Sequence, residues 1–294
     1  MNEGRGVADT ESVEVGNDAY GALGLTVELD GEVVLDDVTA TVRPGEVVAV
    51  VGGDGAGKST LLRAIVGLLV PTAGAVRTPD EVGYLPAGAG SWLELSVAEN
   101  LDFVGGIYGL RGSDLARRRT ELERAAGLAE AADRLSSQLS GGMRRKLGFS
   151  LAMVPNPPLL VLDEPSTGVD PVSRVDLWRL MSTAAADGAA VLFSTTYLDE
   201  AERAGWLIVL DAGRVLVAGA PADVVRGFTT PITRSPTATR PEWSWRRGRA
   251  IHELWPVEEE VAPPAEAVTV TPDLEDVVIA MSLLARARPA VESA

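Results

Sequence analysis

Nine consecutive residues carry the densest chemistry in the chain: Gly52, Gly53, Asp54, Gly55, Ala56, Gly57, Lys58, Ser59 and Thr60. They fit G-x-x-x-x-G-K-[ST], the pattern of a loop that cradles phosphates. Glycines let successive backbone N–H groups turn inward as a concave anion nest. Lys58 can reach the β- and γ-phosphates of a nucleoside triphosphate such as ATP, and the Ser59 hydroxyl can take a position on Mg²⁺. Two elements must hold these groups in place. Before the loop, Glu46-Val-Val-Ala-Val-Val-Gly52 is a short apolar run with the character of a buried parallel strand. After it, Leu61-Leu-Arg-Ala-Ile-Val-Gly-Leu68 has apolar residues at helical spacing, so the positive end of a helix faces the phosphates. Lys58 and Lys146 are the only two lysines among 26 Lys plus Arg, so a composition that writes nearly every cation as arginine still has lysine here.

Acids come next. Leu159-Leu-Val-Leu-Asp163-Glu164-Pro165 is an apolar strand ending in two carboxylates. The carboxyl ends of strands are where α/β folds gather ligand groups. Asp163 can hold Mg²⁺ directly or through water. Glu164 points differently and is the candidate catalytic residue, orienting an attacking water. A lone acid pair would read as a solvated turn or a helix cap; a phosphate loop in the same chain favours the site reading. Leu139-Ser140-Gly141-Gly142-Met143 is a polar glycine loop running into a helix, either a second anion nest or a plain cap. Ser166-Thr-Gly-Val-Asp170 follows the acid pair.

The 294 residues are ample for one α/β core with a smaller subdomain or tail. A net charge of −16 argues against a general nucleic-acid binder, which needs a basic stripe. With no cysteine and a single histidine, His252, neither a disulfide framework nor a thiolate or His-cluster metal site is available. The start, Met1-Asn-Glu-Gly-Arg-Gly, lacks an apolar signal core, and no apolar run reaches a membrane-spanning length, so the expectation is a soluble, cytoplasmic chain.

Residues 1–20 read as a disordered leader, 21–227 as one ATP-binding domain and 228–294 as a C-terminal extension ending in a helix. Leu23–Leu29 and Glu32–Val42 alternate like antiparallel strands. Pro71 to Gly74 reads as a turn, and Asp114 to Ala132 as an exposed amphipathic helix. Val172–Ala186 is predicted helical, Ala189–Thr195 a buried strand, and the stretch from Pro272 to Leu284 a helix. Arg240 to Arg249, with Trp243 and Trp245, suits either lipid headgroups or the surface of a membrane-bound partner, or else a β-hairpin or loop packing on the rest of the chain with solvated arginines. Alternating strands and helices imply a mostly parallel sheet.

Phosphate loop, Leu139–Met143, Leu159–Pro165 and Ser166–Asp170 stand in an order that closely resembles the ATP-binding cassette (ABC) ATPases, over about residues 23–225. The last three match the family's signature, Walker B and D-loop. The resemblance implies an α/β fold: a P-loop NTPase cassette with a mostly parallel core sheet, an antiparallel N-terminal β subdomain and an α-helical signature subdomain at about 88–150. It implies MgATP held at residues 52–60, with Ser59 and Asp163 at the metal and Glu164 as the catalytic residue. It also implies a second cassette, identical or different, packed head to tail. Ser140, Gly141, Gly142 and Met143 would then close on the partner's ATP, with Asp170 at the D-loop. Met143-Arg-Arg-Lys-Leu147, Tyr197-Leu-Asp-Glu-Ala-Glu202 and Leu274-Glu-Asp-Val277 look like the drug- and polymer-exporting, ABC-2 branch. There the ATPase is a separate chain docked on an integral membrane permease, peripheral to the inner face of the membrane. Val278 stands where that branch has Phe.

Three family positions depart from the pattern. Ala87 occupies the Q-loop glutamine position, Thr196 the switch histidine position and Leu29 the adenine-stacking aromatic position; in the loop, Asp54 replaces the usual Asn. Ala87 has no polar side-chain atom, and Thr196 has a shorter reach and cannot become cationic. Losing such transition-state contacts costs about 10²–10³-fold per group, or ~3–4 kcal/mol. The expectation is an ATPase that binds ATP and hydrolyses it slowly at its own site, the degenerate half of an asymmetric pair. The alternatives are a non-hydrolysing ATP-dependent scaffold or a non-transport ABC protein; the latter carry a second cassette or a coiled-coil insertion, and heptads are missing after Gly227.

Overall fold

The computed structural model describes residues 18–88, 90–256, 263–264 and 267–287. Most of the expected leader and the acidic run 258–260 lie outside them. Contacts divide the chain into two compact units between Val215 and Leu216, ahead of the composition change at 227/228.

In the larger unit the chain runs β1 (Tyr20–Leu29), β2 (Glu32–Val42), β3 (Val47–Val51), α1 (Lys58–Ile65), β4 (Ala73–Arg77) and β5 (Val82–Leu85). The helices α2 (Val97–Ile107), α3 (Gly112–Ala125) and α4 (Gly141–Met153) follow, then β6 (Leu159–Leu162), α5 (Pro171–Ala186), β7 (Ala190–Thr195), α6 (Leu198–Ala201), β8 (Trp206–Asp211) and β9 (Arg214–Gly219), in which the unit boundary falls. The central sheet has the order β5-β6-β7-β3-β8-β9. The pairs β5–β6, β6–β7, β7–β3 and β3–β8 are all parallel. β6 and β7 are buried at every residue and β3 at all but its first, as central parallel strands require. Parallel register sets their carboxyl ends side by side: Leu85 opposite Leu162, Leu162 opposite Phe193, Val51 opposite Thr195. The residues just past those ends build the site.

A separate antiparallel sheet has the order β2-β1-β4. Asp30 and Gly31, both with positive φ, make the tight β1–β2 hairpin. The Pro71–Gly74 segment enters β4 from Ala73 rather than remaining a turn. Gly74 has φ +85°, and a Cβ there would lie 2.2 Å from the Gly24 carbonyl oxygen, so only glycine brings β4 onto β1.

Helices α2, α3 and α4 share a core that includes Leu101, Leu128 and Leu147. α2 opens with the capping box predicted by Ser96-Val-Ala-Glu99: the Ser96 hydroxyl accepts from the Glu99 N–H, and the Glu99 carboxylate accepts from the Ser96 N–H. α3 stops at Ala125, short of Ala132. Gly127 (φ +64°) and Leu128 donate to the Arg124 and Glu123 carbonyls and close the helix.

The smaller unit holds α7 (Pro221–Gly227), β10 (Ile232–Ser235), β11 (Ser244–Arg247), β12 (Ala250–Leu254), β13 (Val268–Thr269) and α8 (Leu274–Ala287). Its antiparallel sheet has the order β11-β12-β10-β13. Ile232, Trp243, Leu254 and Ala280 form its core. Trp243 is therefore buried; Arg240 lies 5.7 Å and 5.3 Å from the Trp243 and Trp255 rings, and the Trp245 indole donates to Asp276. These aromatic residues face inward within their own unit rather than toward headgroups. Among the described residues no helix is long and apolar enough to cross a membrane.

Candidate nucleotide site

The loop between β3 and α1 is glycine for two different reasons. Gly52 runs against β8: a Cβ there would sit 2.3 Å from the Leu210 carbonyl oxygen and 2.9 Å from the Ala56 Cβ. Gly57 has φ +102°, and a Cβ would lie 2.7 Å from Leu35. Gly53, by contrast, has nothing within 4 Å, and Gly53, Asp54 and Gly55 are exposed, leaving the middle of the loop open. Gly57 caps α1 without a side-chain bond, so the first-turn N–H groups, from Lys58 through Thr60, point into that opening. Lys58 is buried, and its Nζ donates to the Gly52 and Gly53 carbonyls at 2.9 Å and 3.0 Å, with Glu164 Oε1 at 3.5 Å.

The two acids diverge as their positions at the end of β6 predict. Asp163 is fully buried; its Oδ1 accepts from the Ser59 and Ser194 hydroxyls at 3.1 Å and 2.8 Å. Its Oδ2 is buried with no hydrogen-bond partner. Glu164 takes a left-handed backbone turn (φ +49°), which sends its carboxylate toward Lys58 and Thr167. An orphaned carboxylate oxygen beside a serine hydroxyl fits Mg²⁺, a hard cation that takes oxygen ligands. Among the described residues no group of three or more His, Asp or Glu could hold an ion unaided, so its remaining ligands would be phosphate and water oxygens. The bound ion would supply positive charge to the phosphates, and Lys58 and the α1 N–H groups would orient them.

Lys58, Ser59, Asp163 and Glu164 thus converge. Ser140, Gly141, Gly142 and Asp170 converge on one another as a second cluster. Ser140 caps α4 through the Met143 N–H, and Asp170 caps α5 through the Val172 and Ser173 N–H groups. Those bonds hold the Asp170 carboxyl below the usual carboxylate range. A Cβ on Gly142 would lie 2.3 Å from Ser173 Oγ, so this glycine is what lets the two caps meet. Ser140, Gly141, Gly168 and Asp170 are exposed, whereas the Met143 side chain packs on the helical core.

Ala87 and Thr196 are exposed, and Leu29 is exposed at the β1–β2 hairpin. Three further residues bear on the site without a role assigned from the sequence. Ser194 both donates to Asp163 and accepts the Glu164 N–H at 2.9 Å. It was readable as the polar end of an apolar strand. Buried Glu200 gathers the Ser166 and Thr195 hydroxyls on one oxygen (2.7 Å and 2.8 Å) and Arg174 on the other (3.0 Å). It links the segment after Glu164 to the one around Thr196. Arg145 is the third; it lies in the Met143–Leu147 stretch, but nothing in that stretch marks what it touches.

Residues 35–167 match the ABC transporter family model. The Nod factor export ATP-binding protein I of Cupriavidus metallidurans is 36% identical over 206 residues, 66% of this chain and 68% of that protein. A probable multidrug ABC transporter ATP-binding protein of Escherichia coli, YbhF, is 37% identical over 193 residues; these are 62% of this chain but only 33% of YbhF, so the chain spans about a third of that relative. A solved structure described as an ATP-binding subunit of an ABC transporter superposes with a TM-score of 0.65 at 32% identity, covering 71% of this chain and 92% of that one. The chain belongs to the ATP-binding proteins of the ABC transporter family.

Proposed function

We propose that this chain binds MgATP on the Gly52–Thr60 loop as one of two cassettes that power a separate permease of an exporter, and that hydrolysis at its own site is slow. The observation that carries this is the asymmetry of the site. Lys58, Ser59, Asp163 and Glu164 converge on the cradle, while positions 87 and 196 offer an alanine and a threonine. Glu164 would orient the attacking water. The exposed Ser140–Asp170 cluster would close on ATP held by the second cassette. Export is the reading its relatives' names favour. An apolar surface supports a docked partner: Trp92 packs edge-on against Phe103 at 4.7 Å, and Trp92, Phe103 and Ile107 are 42%, 47% and 65% exposed. With a permease, the chain's place is the cytoplasmic face of the membrane.

The test is turnover by the purified chain beside Ala87→Gln/Thr196→His. The double variant raises the rate by about 10²-fold or more, the size of one lost transition-state contact. Fast turnover by the unaltered chain, or no gain in the variant, overturns the slow-site reading. Binding without turnover, even with a permease present, moves the chain to an ATP-dependent scaffold.

A further inference from the structure

Three consecutive cations follow the signature glycines, and each does something different. Arg144 stays local, donating to the Ser136 and Leu139 carbonyls at 3.2 Å and 3.3 Å. Lys146 pairs with Asp176 at 3.2 Å. Arg145 alone reaches across to the segment after β5: Nη1 donates to the Pro86 and Gly88 carbonyls at 3.3 Å and 2.8 Å, and Nη2 to the Ala87 carbonyl at 2.6 Å. One planar guanidinium holds three successive backbone oxygens, which a single ammonium cannot do.

That segment leads straight to the metal-side acid, because the Asp163 N–H donates to the Leu85 carbonyl at 2.8 Å. Arg145 is also near enough to Glu164 and Asp163 for their charges to favour its cationic form, although burial has the larger effect and lowers its pKa. In the other direction, Arg145 lies on the first turns of α4, whose cap is Ser140. A path of hydrogen bonds and main chain therefore runs from Asp163 through 85–88 and Arg145 to the signature loop. The side chain at 87 contributes nothing polar to it.

We infer that Arg145 is a positioning residue that couples the nucleotide site to the signature loop within one chain, by tying the 86–88 backbone to α4. The inference rests on the reading of the Gly52 loop as an ATP site. Any displacement of residues 86–88 on nucleotide binding is passed to Ser140–Gly142 through the guanidinium, a link set by backbone acceptors and so independent of the residue at 87.

Amide hydrogen exchange on the full chain tests this, with Mg²⁺ and ATPγS as the probe, at a protein concentration where sizing with the same nucleotide shows only monomer, so that pairing does not cover 140–147. In the unaltered chain nucleotide slows exchange at 52–60 and, by about five- to tenfold, at 140–147, the size of a modest coupling free energy. Arg145→Ala keeps ATPγS affinity within about threefold, since Arg145 touches neither Lys58 nor Ser59. Its response at 140–147 is lost, and Arg145→Lys restores it in part. An Arg145→Ala chain that binds ATPγS and still responds at 140–147 overturns the proposal. A nucleotide-free arm separates this from failure of the ATP reading, which would appear as no protection of 52–60 in the unaltered chain. Without nucleotide, Arg145→Ala speeds exchange at both 82–88 and 140–144, whereas Arg144→Ala affects only 136–140. Loosening at 82–88 alone overturns the link whether or not nucleotide binds. Should Arg145→Ala fail to fold, Arg145→Lys carries both arms.

Discussion

Asp163→Asn separates a structural carboxylate from one that awaits a cation. The side chain is fully buried, with Oδ1 held by the Ser59 and Ser194 hydroxyls and Oδ2 facing no partner. An unsatisfied buried acceptor costs about 1–3 kcal/mol. Asparagine keeps the shape and the Oδ1 bonds, removes the charge, and leaves one amide N–H₂ in place of Oδ2. The nucleotide-free variant should thus melt at the same temperature or up to ~4 °C higher, since 1 kcal/mol moves Tm by about 2–4 °C at this size. In the unaltered chain, MgATPγS at a hundredfold excess over its Kd adds about 2.7 kcal/mol. This raises Tm by about 5–10 °C above the nucleotide-free value, and above the value with ATPγS and EDTA to the extent that ATPγS without Mg²⁺ leaves the site empty. The variant should lose most of that Mg²⁺-dependent increment. The assay is thermal unfolding in those two buffers. A full Mg²⁺ increment in Asp163→Asn would refute the reasoning. So would a nucleotide-free Tm lowered by more than about 8 °C, which would mean the charge itself holds the two serines.

Three further outcomes follow from the packing. Gly52→Ala should cost ~3 kcal/mol or more in urea unfolding, because its Cβ meets a rigid carbonyl at 2.3 Å. Gly53→Ala, with nothing within 4 Å, should stay within about 0.5 kcal/mol; equal costs would show that the loop yields freely. Glu200→Ala strips a buried carboxylate from Arg174 and two hydroxyls and should destabilise by ~3 kcal/mol. A double-mutant cycle with Arg174→Ala should then return a coupling above about 1 kcal/mol, and strict additivity would count against the hub. In the smaller unit the Arg247 guanidinium, bonded to Asp273, holds the Asp273 carboxyl below its ordinary value. A depressed carboxyl contributes stability above its unfolded pKa of about 4 and loses it as pH falls through the lower folded value. Arg247→Gln should move the Asp273 titration, followed by carboxyl ¹³C shifts, up toward the ordinary range. An unmoved midpoint would assign the shift to the helix cap instead.

The central sheet was legible because burial on both faces leaves a one-letter pattern: Val47–Val51, Leu159–Leu162 and Ala190–Thr195 are nearly unbroken apolar runs. The phosphate loop and the two acids were legible because close approach and positive φ demand glycine, and strand ends collect ligands. The four-stranded sheet of the smaller unit was not. Its strands span two to five residues, and its core is a few large side chains set among polar ones. Arg240 to Arg249 admits a lipid or permease surface or a hairpin or loop, and β11–β12 is a hairpin; the sequence leaves the choice open because neither stacking nor an indole bond to a buried carboxylate has a sequence period. The contact made by Arg145 was illegible for a related reason. Its acceptors are main-chain oxygens, which every sequence carries.

The Trp92–Phe103–Ile107 surface bears on how this chain behaves when isolated. A net charge of −16 keeps copies apart at low ionic strength, when repulsion reaches about 10 Å at 0.1 M salt and only ~3 Å at 1 M. Raising salt removes that barrier and strengthens apolar adhesion, so purified molecules should pair through this surface. Such a colloidal pair needs no nucleotide, whereas a pair closed over the Ser140–Asp170 cluster would need it. The two dimers would have the same mass, one forming with added salt alone and the other only with nucleotide, and sizing under a single condition would confuse them.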